Sequence, residues 1–138
     1  VKTIPEKSTV FDWKEALDFE KQSGTYIQYA HARACSILEK AGDFPYCYDI
    51  EVTSDVAFAK HIARFPKVIN QVVEELKPHL LAIYARELAD LFGSFYHAEP
   101  VLKAQGSVRD RRLTLVDATR NTLKEALETL GIDALRAM

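Results

Sequence analysis

The chain has 138 residues, 20 acids against 18 bases for a net charge of −2, and 48% apolar residues. It is therefore one average domain with enough apolar residues for its own core, and not a polycation of the histone type. Only five glycines and five prolines occur, which excludes a linker or low-complexity chain, and no run approaches the ~20 apolar residues of a membrane span.

The predicted elements are nearly all helical. A short helix is expected from Asp12 to about Glu20, with Phe11, Ala16, Leu17 and Phe19 on its apolar side. Gly24 breaks the chain before a second helix from about Thr25 to Ala41, stopped by Gly42. Residues 42–53, with Pro45 and several aromatics, read as a loop over the core. Thr53, Ser54 and Asp55 supply capping chemistry for a third helix, which ends near Phe65 because Pro66 disfavours helix before it. Pro66 and Pro78 can each open a further helix. The stretch after Pro78 carries Leu80, Tyr84, Leu88, Leu91, Phe92 and Phe95 at steps of three and four, one broad apolar stripe ending before Pro100. Ser107 is the expected cap of a last helix, with Leu113, Val116, Leu123, Leu127 and Leu130 on one face and Gly131 at its end. No strand-period alternation of useful length appears, so the expected fold is all-α, a bundle of five or six helices in a single domain spanning 1–138.

Catalytic chemistry is absent from the pattern. The four histidines sit in no metal-binding spacing, and there is no phosphate-cradling glycine loop or nucleophile elbow. No catalytic residue and no metal site is expected; His31 is a general base only in principle. Cys35 and Cys47 form no C-x-x-C pair and read as free thiols of a reduced, cytoplasmic protein. The N-terminus lacks both a signal-peptide core and an initiator Met, which suggests a domain taken from a longer chain.

Two segments carry binding chemistry. Projected at about 100° per residue, Tyr29, Arg33, Ser36 and Lys40 share one ridge of the second helix, while Tyr26, Ala30, Ala34, Ile27, Ile37 and Leu38 lie toward the core. An aromatic ring with cations one turn away suits an unpaired nucleic-acid base and its phosphates. The bland alternative is a ring covering the core edge beside solvated charges. The second segment, 103–124, has net charge +4, and its Arg109, Arg112 and Arg120 project with the apolar face of the last helix. Such arginines need an internal acid, for instance Asp18 or Glu20, or an overhang that shows them to RNA. Three to five phosphate contacts are expected from these cations.

Several runs resemble one family. Phe11-Asp12-Trp13, Ala16-Leu17-Asp18-Phe19-Glu20, and Ser23-Gly24-Thr25-Tyr26-Ile27-Gln28-Tyr29-Ala30-His31-Ala32-Arg33 look like the arginyl-tRNA synthetases. Leu88-Ala89, Phe92-Gly93-Ser94-Phe95-Tyr96, Pro100-Val101-Leu102 and the final Met138 are similar to later parts of the same pattern. The region matched is the C-terminal helical anticodon-binding (DALR) domain. The class I signatures of the H-I-G-H and K-M-S-K-S type are missing.

The resemblance implies RNA-binding residues Tyr26, Tyr29, Ala30, Arg33 and Met138. With Ser36, Lys40, Arg109 and Arg112 from the residue patterns, these form the candidate site. It implies an arginine tRNA, through its anticodon loop, and the parent's catalytic domain as partners; the residue patterns themselves, with continuous apolar stripes and no apolar span, predict a monomer and no membrane partner. It implies no cofactor in this chain, and ATP with Mg in a parent enzyme that joins arginine to its tRNA; this chain alone should not catalyse that reaction. The chain departs from the family at Thr25 and Leu135, where Pro is usual, and at Gly93, where Asn is usual; Leu135 is expected to loosen the tail. The helical domain of another class I synthetase, such as the cysteinyl enzyme, or a protein–protein module are the alternatives, and salt-sensitive RNA binding separates the latter.

Overall fold

The computed structural model describes residues 24–49, 53–98 and 101–138. Five helices lie among them: α1 (Gly24–Ala41), α2 (Thr53–Ala63), α3 (Phe65–Glu75), α4 (His79–Ala98) and α5 (Gly106–Thr129), with no strand. The expected helix at 12–20 and the acids Asp18 and Glu20 lie outside the described residues.

The two long helices α4 and α5 form the centre, with α1 laid against both and α2 and α3 closing the other side. Each contributes an apolar stripe to one core. Ala34, Ala85, Leu88, Leu113, Val116, Leu123, Ala126 and Leu127 are fully buried there. Small residues on α1 let its backbone approach α5 closely, which is why this pair has the most extensive packing.

The stripe on α4 differs from the expected one. Leu81, Ala85 and Ala89 are buried with Tyr84, Leu88, Phe92 and Phe95, whereas Leu80 is half-buried and Leu91 exposed. Neighbours press on α4 from α1, α3 and α5, so its covered face is wider and rotated toward the small residues. Ser107 is not a cap either: α5 starts at Gly106, φ +58°, behind an extended Gln105 whose side chain makes no capping bond. A left-handed φ suits Gly there, and it moves the helix start one residue ahead of the hydroxyl. Pro66 and Pro78 do stand at helix starts, and Gly42 and Gly131, both with positive φ, follow helix ends.

One buried charge pair ties α2 to α5. Arg111 Nε donates to Asp55 Oδ2 at 3.0 Å, with the residues only 9% and 2% exposed. Asp55, in the first turn of α2, neutralises Arg111, the most deeply buried arginine of the 109–112 run. Tyr84 donates its hydroxyl to the carbonyls of His61 and Ile62 at 3.0 and 3.2 Å and stacks on the His61 ring. Burial pushes the Tyr84 phenol up to about 12. Both cysteines are free thiols, and burial raises the Cys35 thiol against the pull of Arg120 and Arg136. Among the described residues no helix is long and apolar enough to cross a membrane, and no group of three His, Cys, Asp or Glu is gathered to hold a metal ion.

Candidate nucleic-acid interface

The outer face of α1 carries the site. Tyr29 is 47% exposed although it sits between the buried Ile27 and Ala30. One turn on, the Arg33 guanidinium lies 5.5 Å from the Tyr29 ring and 4.6 Å from the ring of Tyr96 on α4. A cation held between two aromatic faces keeps its direction. The cation therefore orders two rings from different helices, leaving the outer face of Tyr29 to solvent.

Tyr29 and Arg33 form the shared wall of two cavities. The first, about 510 Å³, lies between α1 and α4 and is bordered by Tyr26, Ala30, Asp90, Gly93, Ser94 and His97. Tyr26 donates its hydroxyl to Asp90 Oδ1 at 2.9 Å, and burial, then this bond, raises its phenol above the ordinary value. A Cβ on Gly93 would come within 4.0 Å of the Tyr26 hydroxyl, an ordinary contact, so the glycine leaves this wall low without being sterically required. The second cavity, about 320 Å³, lies between α1 and the C-terminal tail, with Ser36 and Glu39 on one side and Arg136, Ala137 and Met138 on the other. Both volumes fall in the range of small-ligand sites.

The candidate residues divide clearly. Tyr26, Tyr29, Ala30, Arg33, Ser36 and Met138 border one cavity or both. Lys40 is exposed at the end of the same ridge but borders neither. Arg109 is turned inward: its Nη2 donates to the Ala41 carbonyl at 2.9 Å, completing the end of α1, and Nη1 lies 3.7 Å from Asp110. Arg112 is half-buried on α5 and also borders neither cavity. The positive segment 103–124 is thus largely internal in its use, since Arg111 pairs with Asp55, Arg120 with Asp117 at 2.6 Å, and Lys124 with Glu128.

Several residues at the site escaped the sequence reading, four of them with chemistry that bears on it. Tyr96 and Asp90 reach it from α4, and no spacing within one helix predicts a partner on another. Glu39 and Arg136 both line the tail-side cavity, and neither stood out in the sequence beyond its charge. His31 is 3% exposed, and its Nδ1 lies 2.8 Å from the Leu135 carbonyl oxygen, so the geometry gives it a holding role. Leu135 makes that contact through its backbone oxygen, so it does not depend on the side chain at 135.

A family model described as the DALR anticodon binding domain matches residues 27–138. The chain belongs to this family. Its tail, Asp133-Ala134-Leu135-Arg136, spells the same four letters. The domain is 79% identical over its whole length to a quarter of the arginine–tRNA ligase of Methanospirillum hungatei, and 70% identical to the same share of that of Methanoregula boonei. It superimposes on a quarter of the Thermus thermophilus arginyl-tRNA synthetase with a TM-score of 0.91 at 39% identity, covering all of this chain. The arginyl-tRNA synthetase of Plasmodium falciparum shares the fold at a TM-score of 0.82 and 24% identity. The domain spans about a quarter of the length of the relatives it matches.

Proposed function

We propose that this domain binds the anticodon loop of an arginine tRNA, within a parent ligase that uses ATP to join arginine to that tRNA. The observation that carries the reading is the half-exposed Tyr29 ring, ordered by Arg33 and set on the wall between two cavities. An unpaired base can stack on Tyr29, its neighbours can enter the cavities on either side, and Arg33, Lys40 and Arg136 can meet phosphates. Family membership and the names of the relatives support the choice of tRNA.

On this reading Tyr26, Ala30, Ser36 and Met138 line the base sites. Arg109 and Arg112 serve the fold first, by the contacts or burial that hold them on α5. Activation of arginine and the ATP that drives it belong to the catalytic part of the parent, which is this domain's intramolecular partner. The domain by itself is a non-catalytic monomer acting in the cytoplasm. Chemical probing of an arginine tRNA tests the reading: the domain should protect anticodon-loop nucleotides and leave the acceptor end reactive. Protection confined to the acceptor end, or none at saturating domain, would overturn it.

A further inference from the structure

The tail after α5 follows α1 in the same direction. A Cβ on Gly24 would come within 3.3 Å of Ile132 Cδ1, Gln28 Nε2 donates to the Asp133 carbonyl at 2.8 Å, and the Leu135 carbonyl lies 2.8 Å from His31 Nδ1. From position 24 to 31 the helix rises about 10 Å, and three peptide steps reach about 10–11 Å when extended. The tail therefore keeps pace with the helix with little slack, and its last three residues arrive beside Ser36 and Glu39. A carbonyl oxygen can only accept, so His31 carries its hydrogen on Nδ1. Arg136, delivered by this path, makes no hydrogen bond or ion pair among the described residues.

We propose that Gln28 and His31 are positioning residues for RNA binding. By holding two tail carbonyls they set Arg136 and Met138 against the Tyr29–Arg33 wall and so complete the tail-side cavity. The role rests on the anticodon-binding reading above. Because both bonds end on backbone oxygens, they fix the path of the tail whatever side chains stand at 133 and 135.

The test compares the chain with Gln28→Ala, His31→Ala, His31→Asn and a chain lacking residues 136–138. Two quantities are read: the rate of tryptic cleavage after Arg136, followed by mass, and the affinity for an arginine tRNA transcript. Loss of either bond should raise the cleavage rate and weaken tRNA binding by about fivefold. His31→Asn, whose amide can replace the Nδ1 donor, should restore most of both. In the shortened chain neither Gln28→Ala nor His31→Ala should weaken binding further. Gln28 is only half-buried, so its variant decides the matter even if His31→Ala fails to fold. An unchanged cleavage rate would overturn the holding of the tail. Faster cleavage with unchanged affinity, or a further loss in the shortened chain, would overturn the positioning role. If no chain, the unaltered one included, binds tRNA, the anticodon reading itself falls and the positioning role with it, while the trypsin rates still judge the two bonds.

Discussion

Replacing Tyr29 by Ala separates binding from folding. A tyrosine presents roughly 200 Å² of burial area, and with 47% of the residue exposed, roughly 100 Å² is covered in the fold. At about 25 cal/mol per Å² that is an upper bound near 2.5 kcal/mol, less about 0.5 kcal/mol that alanine returns in helix propensity. No enclosed cavity results, because the ring lies on the surface. The expected stability loss is therefore at most about 2 kcal/mol, against about 3–5 kcal/mol for Phe92→Ala, whose side chain is 1% exposed. Stacking of one base is worth about 1–3 kcal/mol, so the dissociation constant for an arginine tRNA should rise about 5- to 150-fold. Tyr29→Phe should keep most of the affinity, since its ring can still stack. The assay is a titration of tRNA by anisotropy or filter retention at fixed salt, with thermal melts of each variant. A Tyr29→Ala chain that melts like a core truncation yet binds tRNA normally would show that Tyr29 is packing only.

Other outcomes follow from the same contacts. Arg111→Met should cost about 3–5 kcal/mol, because it leaves the Asp55 carboxylate buried without its cation, and Asp55→Leu in the same chain should recover much of the loss; equal losses in the single and double variants, measured by urea unfolding, would contradict this. Binding should weaken with salt at about −0.7 per phosphate, for about three contacts from Arg33, Lys40 and Arg136, the low end of the range expected from the +4 segment together with Arg33 and Lys40, because that segment's cations are largely paired within the fold; a flat response would favour a protein partner. Tyr84 ionises near 10 when unfolded and about 12 when folded, so its contribution is complete below pH 10 and is lost as pH rises toward 12, about 2–3 kcal/mol in all. Tyr84→Phe should remove that part of the alkaline decline; an identical decline in both chains would refute it.

The helices were legible because their signals are local. Pro66, Pro78, Gly42 and Gly131 mark boundaries through backbone restrictions that act within a residue or two, and the structure has helix ends beside each. Ser107 misled because a hydroxyl favours a cap only weakly, while Gly106 alone accepts the positive φ that the turn demands. The α1 ridge was legible in part. Tyr29 and Arg33 stand out from helical spacing, but Tyr96 completes the pair from α4 and has no periodic relation to them. The arginines of 109–120 were the least legible, since their partners Asp55, Ala41 and Asp117 lie on other elements or one turn along α5. Sequence shows that a charged side chain on an apolar face needs a partner; only the fold says which.

The measurement that bears most directly on the central claim compares two tRNAs. This chain is titrated, at one salt concentration, with an arginine tRNA transcript and with the same transcript carrying a different anticodon. Stacking on Tyr29 accepts any base, so discrimination falls to base edges received in the two cavities; losing one such edge contact should cost about 1–3 kcal/mol, and the altered transcript should bind at least about fivefold more weakly. Equal affinity for the two would contradict anticodon recognition by this domain.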